Sequence, residues 1–387
     1  MNLKIKINKD SLPQVTALAC ASVIFFVKYT YLFGGISGVF LKVVAVIGIL
    51  FAVLMETKFN RKITMNSMGV FFVFLAISAI SLFSDNIEVL EILSLVYVFR
   101  NTTQTKIDSA LKMDIVIKMM LTVMAILGSI SGLVYNRAVK GDVLSYGFSH
   151  VNRLGAILLI IAVEYWLINR AKNSALLVSF FMLAFEIFLR CRTGIILLLL
   201  LLIFQFIYFL FEKSKNFKRK NKIKKYYISL LFFVSIFTVT VSYYFMVCYD
   251  NSSVFQYRLN QLFNMRLLLS FRAFQDYDIT LFGQLLEFVS SDQMSDTVRY
   301  FAIDNMFVYI LFQWGLLLTS FYLFIHLVMG LHLWKRDNVL LMSILTITVL
   351  FSFMENQMID VGVNIFLIYL GSIWRKTKNK EVINTWR

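Results

Sequence analysis

The stretch DNSSVFQYRLNQLFNMRLLLSFRAFQDYDITLFG, residues 250–283, stands out because almost everything around it is typical of membrane-spanning helices and this stretch is not. It contains three arginines, Arg258, Arg266 and Arg272, and no lysine. If the stretch is one helix, these three side chains fall within an arc of about 120°. Such a helix lies well on a membrane surface with its guanidinium groups on one face. Since arginine matches planar anions such as phosphate, the stretch predicts an anion-binding surface outside the membrane core.

The composition assigns the chain to the membrane proteins. Of its 387 residues, 59% are hydrophobic and 16% are charged, whereas a soluble chain carries about 25% charged residues. No polar run is long enough to form a separate soluble domain. We therefore expect one polytopic membrane domain over residues 1–387, all-α, with one large extracytoplasmic loop at 249–302.

Hydrophobic runs fit the length of about 20 residues that crosses a bilayer, and they predict about twelve spans, with a range of about eleven to thirteen. The chain has a single proline, so proline-broken half-helices of the transporter kind are not indicated. The predicted spans are 12–33, 36–55, 65–84, 87–100, 112–135, 153–169, 174–190, 193–211, 226–248, 303–333, 339–354 and 359–374.

The distribution of positive charge predicts the orientation. The net charge is +16, but the basic residues lie between hydrophobic runs, which argues against a nucleic-acid partner. With the N-terminus inside, 26 basic residues fall in inside loops and nine fall outside. The positive-inside rule then places both termini in the cytoplasm. Eight of the nine outside residues are arginine, which indicates either anion recognition or interfacial anchoring.

Two motifs near the predicted outer face carry candidate functional residues. His150 is the only outside histidine and is either an acid–base residue or an interfacial histidine that hydrogen-bonds the backbone. Arg190 and Arg192 flank Cys191 in RCRTG, and either bind an anion or anchor the helix end. Glu186 lies four residues before Arg190, so the two are predicted to pair on one helix face.

Carboxylates follow the arginines in the large outer loop. Most of them are expected to be solvated, but Asp304 lies with Asn305 at the entry of the predicted span 303–333, where burial can shift a pKa. Glu355-Asn356, at the outer turn between the last two spans, is a weaker candidate. The three cysteines have no metal-binding spacing, and we expect free thiols rather than a Cys191–Cys248 disulfide. No metal site and no nucleotide motif is indicated.

Four motifs together resemble the Wzy-type polysaccharide polymerases, within the O-antigen polymerase and ligase superfamily. The resemblance covers the topology of nearly the whole chain. It departs from the family at Val151, which replaces a proline, at Cys191, which replaces a serine, and in a large loop without histidine. The four motifs are RAFQDYDITLFG (272–283), HVNRLG (150–155), RTG (192–194) and DNMFVYILFQWG (304–315).

The resemblance implies a glycosyltransferase of GT-C type in the bacterial cytoplasmic membrane. Its substrates would be polyprenyl-diphosphate-linked oligosaccharides, with no cofactor or metal, and a flippase and a chain-length regulator are implied partners. The general base would be His150 or Asp304. The predicted substrate-binding residues are Arg190, Arg192, Arg258, Arg266, Arg272, Gly283 and Asn305.

Two other functions stay open at this point. One is a ligase of the same superfamily, which the lack of a histidine in the large loop disfavours. The other is a flippase or transporter for the same lipid. A carrier needs charges across the bilayer, whereas here they concentrate at the outer ends, with Lys42 and Glu164 as mid-span exceptions.

Overall fold

The computed structural model describes residues 9–33, 36–59, 87–100, 102–140, 143–170, 172–213, 217–289 and 300–373. The predicted third span, 65–84, lies outside the described residues. So do residues 290–299 of the large loop and the C-terminal tail after residue 373.

Helices dominate the described residues, and one short antiparallel ribbon lies in the loop that precedes His150. The ribbon pairs β1, Ala138–Lys140, with β2, Val143–Leu144. The fourteen α-helices of the described ranges are α1 Leu12–Tyr29, α2 Ile36–Phe59, α3 Ile87–Phe99, α4 Gln104–Ile130, α5 Val151–Asn169, α6 Asn173–Phe188, α7 Arg192–Lys213, α8 Phe217–Cys248, α9 Val254–Leu262, α10 Arg266–Asp276, α11 Met306–Gln313, α12 Gly315–Lys335, α13 Val339–Met354 and α14 Phe366–Ile373.

The helices begin where the sequence supplies capping side chains. Pro13 lies in the first turn of α1, where its missing N–H costs no helical hydrogen bond. The Asn305 side chain accepts from the backbone N–H groups of Phe307 and Val308 and so caps α11. Asn338 caps α13 in the same way. Local sequence therefore sets these helix starts.

Length and hydropathy confirm a helical membrane protein. Six helices of the described residues are long and apolar enough to cross a bilayer: Leu12–Tyr29, Gln104–Ile130, Val151–Asn169, Arg192–Lys213, Asn221–Cys248 and Gly315–Lys335. The apolar helices Asn173–Phe188 and Val339–Met354 are shorter. Helices α5 and α13 are buried along nearly their whole length and form the centre of the bundle. Helices α6 and α8 expose large apolar side chains such as Phe180 and Phe233, as expected for lipid-facing surfaces.

Two predicted spans differ from the structure. The run 303–333 is not one helix. The helix is interrupted at Trp314 and Gly315, and Gly315 has φ +82°. The run 359–374 becomes helical only at Phe366. Residues 355–365 form a buried, largely irregular connection that contains a 3₁₀ turn, Asn356–Ile359. At the break near Gly315, backbone groups of the two helix ends bind residues of the large loop, whereas the backbone hydrogen bonds within 355–365 are local.

Polar side-chain contacts define the two ends of the bundle. Lys28, at the end of α1, binds Glu88 at the start of α3 and Asp360 in the 355–365 connection. We call this end, which also carries the 249–302 loop, the loop end. At the opposite end, Gln14 donates to Glu56 at 3.0 Å. Glu56 and Glu88, which flank the segment 60–86 along the chain, thus lie at opposite ends of α1.

A charged cluster is buried halfway along the bundle and corrects the expectation of few mid-span charges. Lys118 donates to Asp114 at 2.6 Å and to Glu164, and Ser22 donates to the other oxygen of Asp114. All four side chains are buried. The cluster joins α1, α4 and α5 at a depth where an unpaired charge is strongly disfavoured.

The arginine-rich stretch is not one helix, so the condition under which its three arginines would share an arc is not met. Helices α9 and α10 are separated by a turn in which Asn264 and Met265 have φ of +50° and +66°. Arg258 is exposed on α9, whereas Arg266 is the buried first residue of α10. The three arginines therefore do not share one helix face.

The end of the large loop packs on the break between α11 and α12. The N–H groups of Leu316 and Leu317 donate to the Thr280 and Leu281 carbonyls at 2.9 and 3.1 Å. Gly283 has φ +88°, and a Cβ atom there would lie 2.1 Å from the Gln313 carbonyl oxygen. Only glycine allows this close approach of two backbones.

Candidate functional site

Arg266 is the centre of a buried polar cluster at the loop end. Its Nε donates to Asp304 Oδ2 at 3.2 Å, and its Nη2 donates to Glu355 Oε1 at 2.5 Å. Its Nη1 donates to Thr193 Oγ1 at 3.3 Å. The arginine is only 6% exposed. The two carboxylates explain how the guanidinium remains charged: burial disfavours the charged form, but Glu355 and Asp304 raise the pKa of Arg266.

Glu355 holds four side chains together. Its Oε1 also accepts from Asn152 Nδ2 at 2.7 Å and from Thr193 Oγ1 at 3.4 Å, and its Oε2 accepts from Gln357 Nε2 at 3.2 Å. Burial raises the pKa of Glu355, and the Arg266 guanidinium opposes that rise. A buried carboxylate with this many donors is held rigidly, and it therefore fixes the position of the Arg266 guanidinium.

Each member of the cluster sits at a helix terminus of the loop end. Asn152 and Thr193 belong to the first turns of α5 and α7, and Glu355 ends α13. Asp304 precedes Asn305, the cap of α11, and its side chain is 31% exposed. Of the two carboxylates that bind Arg266, Asp304 is the one with substantial access to solvent. In the sequence Glu355 is a weaker candidate, whereas in the structure it accepts hydrogen bonds from four side chains and is the hub of the cluster.

A second polar group adjoins the first through Asn356. Asp360 accepts from Lys28 at 2.8 Å and from the Tyr29 hydroxyl at 2.6 Å. The Arg153 guanidinium lies over the Tyr29 ring, 4.2 Å from its centroid, and both terminal nitrogens donate to Asn356 Oδ1 at 3.4 Å. The 355–365 connection thus joins two clusters of ionised groups.

His150 and Asn305 both have capping roles. His150 precedes α5, and its Nδ1 accepts from the Asn152 N–H at 3.1 Å. A neutral histidine with Nδ1 as acceptor carries its proton on Nε2, so neither nitrogen is free to take another proton without losing the cap. A role of His150 as base stays a prediction, as does a substrate contact of Asn305.

The other four predicted arginines lie outside the Arg266 cluster. Arg190, Arg192 and Arg258 are exposed and Arg272 is half-buried. None of the four has an ion pair or side-chain hydrogen bond with another described residue. Their guanidinium groups are therefore open to a bound anion. Gly283 packs on the α11–α12 break, which gives it a structural role at that place.

Glu186 is a residue that the sequence interpretation misjudged. It was expected to pair with Arg190, but α6 ends at Phe188 and the Glu186 carboxylate is buried. Its oxygens lie within 3 Å of the positions that Cβ atoms on Gly155 and Gly194 would occupy. No amide or cation of the described residues donates to either oxygen. A spacing rule reports only which helix face a residue shares, not whether that face is buried.

Cys191 lies between Glu186 and Asn152 and is a free thiol, as are Cys20 and Cys248. Its Sγ donates to Asn152 Oδ1 at 3.6 Å. Burial, with Glu186 as the next cause, raises the pKa of Cys191 well above its usual range. The thiol is thus a neutral packing group beside the site. Within the described ranges, no group of three or more His, Cys, Asp or Glu side chains is positioned to bind a metal ion.

Comparison of the chain with protein-family models, with curated proteins and with solved structures gives no match. The function must therefore be argued from the geometry of the loop end and from the chemistry of its side chains.

Proposed function

We propose that this protein is a membrane glycosyltransferase that joins polyprenyl-diphosphate-linked oligosaccharide units into a polysaccharide. One observation carries the proposal. Three of the four motifs that resemble the polymerase family, far apart in the sequence, supply side chains to one cluster around Arg266. These side chains are Asn152, Thr193 and Asp304. The fourth motif supplies Gly283, which holds the loop against α11 and α12.

The charges divide the arginines between two roles. Arg266 already binds two carboxylates, so the cluster has a net negative charge and is unsuited to grip a diphosphate. Arg192 and Arg272 have no anionic partner among the described residues, and they are suited to stabilise the leaving diphosphate. Arg266 is then a positioning residue that orients Asp304.

The proposed reaction needs few groups. A sugar hydroxyl of the incoming unit attacks the anomeric carbon of the growing chain while the bond to the diphosphate oxygen breaks. Asp304 accepts the hydroxyl proton, since it is the partly exposed carboxylate of the cluster. Polyprenyl diphosphate leaves with the bonding electron pair, and Arg192 and Arg272 compensate its charge.

The proposal includes a location and an architecture. The loop end faces the outside of the bacterial cytoplasmic membrane and both termini face the cytoplasm. About twelve spans form a GT-C-like bundle. A flippase supplies the lipid-linked units and a chain-length regulator acts on the product.

The test is elongation of lipid-linked repeat units, extracted from the source cells, by the purified protein in nanodiscs. Asp304→Asn is expected to reduce the elongation rate by about 10²–10⁴-fold, the usual contribution of a general base. Arg272→Lys is expected to abolish long products, because lysine cannot bind a phosphate in two places. Arg336→Lys, exposed at the opposite end, is the matched control and keeps the wild-type rate. Wild-type elongation by both loop-end variants would contradict the assignment.

A lipid carrier is the second candidate function, because the Asp114–Lys118–Glu164 cluster is buried halfway across the bundle. Intramembrane charges of this kind often mark transport pathways. Nanodiscs have no second compartment to receive a transported lipid, so elongation there distinguishes the enzyme from the carrier. Transfer of a finished chain to a different acceptor, without elongation, would instead indicate a ligase.

A further inference from the structure

Residues 279–288 of the large loop expose an unusual number of large apolar side chains. Leu285 is 69% exposed, Leu281 53% and Phe282 50%. Ile279 and Phe288 are each more than two-fifths exposed. Solvent exposure of so many neighbouring apolar groups is unfavourable in water and marks a surface that contacts something apolar.

The opposite side of this segment is held firmly against the protein. Leu286 is buried in a core with Met246 of α8, Ala273 of α10 and Phe312 of α11. The Gln284 N–H donates to the Phe312 carbonyl at 3.0 Å. The apolar side chains are therefore presented outward by a fixed backbone, and the segment cannot bury them by turning over.

The exposed patch is continuous with a membrane-spanning helix. Leu316 and Leu317, in the first turn of α12, are 49% and 43% exposed, and their N–H groups bind the carbonyls of Thr280 and Leu281. Helix α12 is long and apolar enough to span the bilayer from this turn onward. The backbone of the segment thus lies at the level where the span begins. The exposed carboxylates of Asp278 and Glu287 bound residues 279–286, and Phe288 lies beyond the second carboxylate at the end of the segment.

We propose that residues 279–288 insert into the membrane leaflet at the loop end, with Leu281, Phe282 and Leu285 among the lipid acyl chains. The insertion holds α10, which follows α9 and directly precedes the segment, at the level of the lipid headgroups. Arg272 on α10 is then kept beside the phosphates of that leaflet. The insertion is a property of the fold and does not depend on which reaction the protein catalyses.

Spin labelling of the full-length protein in phosphatidylcholine nanodiscs tests the insertion. Leu285→Cys and Leu281→Cys are labelled in a Cys248→Ser background, and the labelled parent measures the signal from Cys20 and Cys191. Gln275→Cys on α10, an exposed polar position, is the matched control. Collisions with oxygen, which concentrates in lipid, are compared with collisions with a water-soluble nickel chelate.

Insertion predicts an oxygen-to-nickel accessibility ratio several-fold higher at Leu285→Cys and Leu281→Cys than at Gln275→Cys. Equal ratios at all three sites would overturn the proposal, because the segment would then lie in water. A label at Leu285→Cys that neither reagent reaches would also overturn it, since protein, such as a second copy of the chain, would then cover the patch. The accessibility ratios do not depend on whether the protein elongates repeat units, so this test and the test of the proposed function can fail separately.

Discussion

At the scale of single residues, arginines that the sequence analysis grouped together differ in burial. Arg266 and Arg258 belong to one arginine-rich stretch, yet one is enclosed by three polar partners and the other is exposed. A buried guanidinium is stable only when acceptors satisfy it, and Asp304 and Glu355 come from distant parts of the chain. The sequence therefore marked Arg266 as a candidate residue, whereas the tertiary contacts were needed to show that it is buried between two carboxylates.

Removal of the Arg266 side chain tests its role in holding the cluster. Arg266→Ala leaves Glu355 buried without its cationic partner, which we expect to destabilise the protein by about 3–5 kcal/mol. The measurement is thermal unfolding of the purified protein in detergent. Arg258→Ala, which removes an exposed guanidinium, is expected to change stability by less than about 0.5 kcal/mol. Equal melting temperatures for the two variants would contradict the buried ion pairs.

A second substitution distinguishes the effect of the unpaired charge on stability from the effect of lost packing at the same site. Glu355→Gln in the Arg266→Ala background removes the unpaired charge, so we expect it to recover part of the lost stability. Glu355→Gln alone leaves Arg266 with Asp304 as its single carboxylate and is expected to destabilise. A double variant no more stable than Arg266→Ala would show that the lost packing, rather than the unpaired charge, dominates.

At the scale of helices and loops, the hydrophobic runs coincide with most of the described helices, and they fail where a backbone break is stabilised by residues outside the run. The run 303–333 is mostly apolar, and Gly330 lies inside a continuous helix, so a glycine alone does not mark the break at Gly315. The break exists because residues 280–284 supply carbonyl and N–H partners to the two helix ends. Such partners cannot be read from a local pattern.

Gly283→Ala tests the docking of the loop on that break. The substitution combines an unfavourable φ of +88° with an approach of 2.1 Å to the Gln313 carbonyl, so we expect a loss of more than about 2 kcal/mol of stability. Gly132→Ala is the matched control, since Gly132 has φ +76° but no atom within 4 Å of the new Cβ. It is expected to cost about 1–2 kcal/mol. Thermal unfolding compares the two, and an equal loss would contradict the close backbone contact.

The buried Lys118 cluster joins three helices and makes its own prediction. Lys118→Met leaves Asp114 and Glu164 close together without the intervening cation, and we expect destabilisation of about 3–5 kcal/mol. Lys112→Met, six residues earlier on α4, is the control and removes only a half-buried lysine. The yield of monodisperse protein in size-exclusion chromatography and the melting temperature report the difference. Equal stability of the two variants would argue against a charged cluster in the bundle.

At the scale of the whole molecule, the described helices place both polar clusters at the loop end. The Arg266 cluster and the Asp360 cluster meet at the 355–365 connection, while the mid-bundle cluster lies apart from them. The proposed function places the active site at this loop end. Which side of the membrane that end meets is the most important property to measure.

Cysteine labelling of intact cells measures that orientation. Cys248, at the loop end, is exposed, whereas Cys191 is buried and its pKa is raised, so a membrane-impermeant maleimide is expected to modify Cys248 alone. Cys248→Ser removes the label. Lys335→Cys, at the opposite end, is expected to stay unlabelled until the cells are opened. Labelling of Lys335→Cys but not Cys248 in intact cells would place the loop end in the cytoplasm and contradict the proposed function.

The sequence by itself determined the class of the protein and the positions of most described helices, and it marked Arg266 and Asp304 as candidates, with Glu355 as a weaker one. These follow from local properties: apolar length, helix caps and the placement of charge. Only the tertiary structure decided that Arg266 is buried, that Glu355 is its hub and that Glu186 faces inward. For Arg266 and Glu355 the physical reason is that a charge in a low-dielectric interior is stable only beside partners that the fold brings from elsewhere in the chain. For Glu186 it is that the packing of α5 and α7 against the end of α6, rather than helix spacing, sets which side chains are buried.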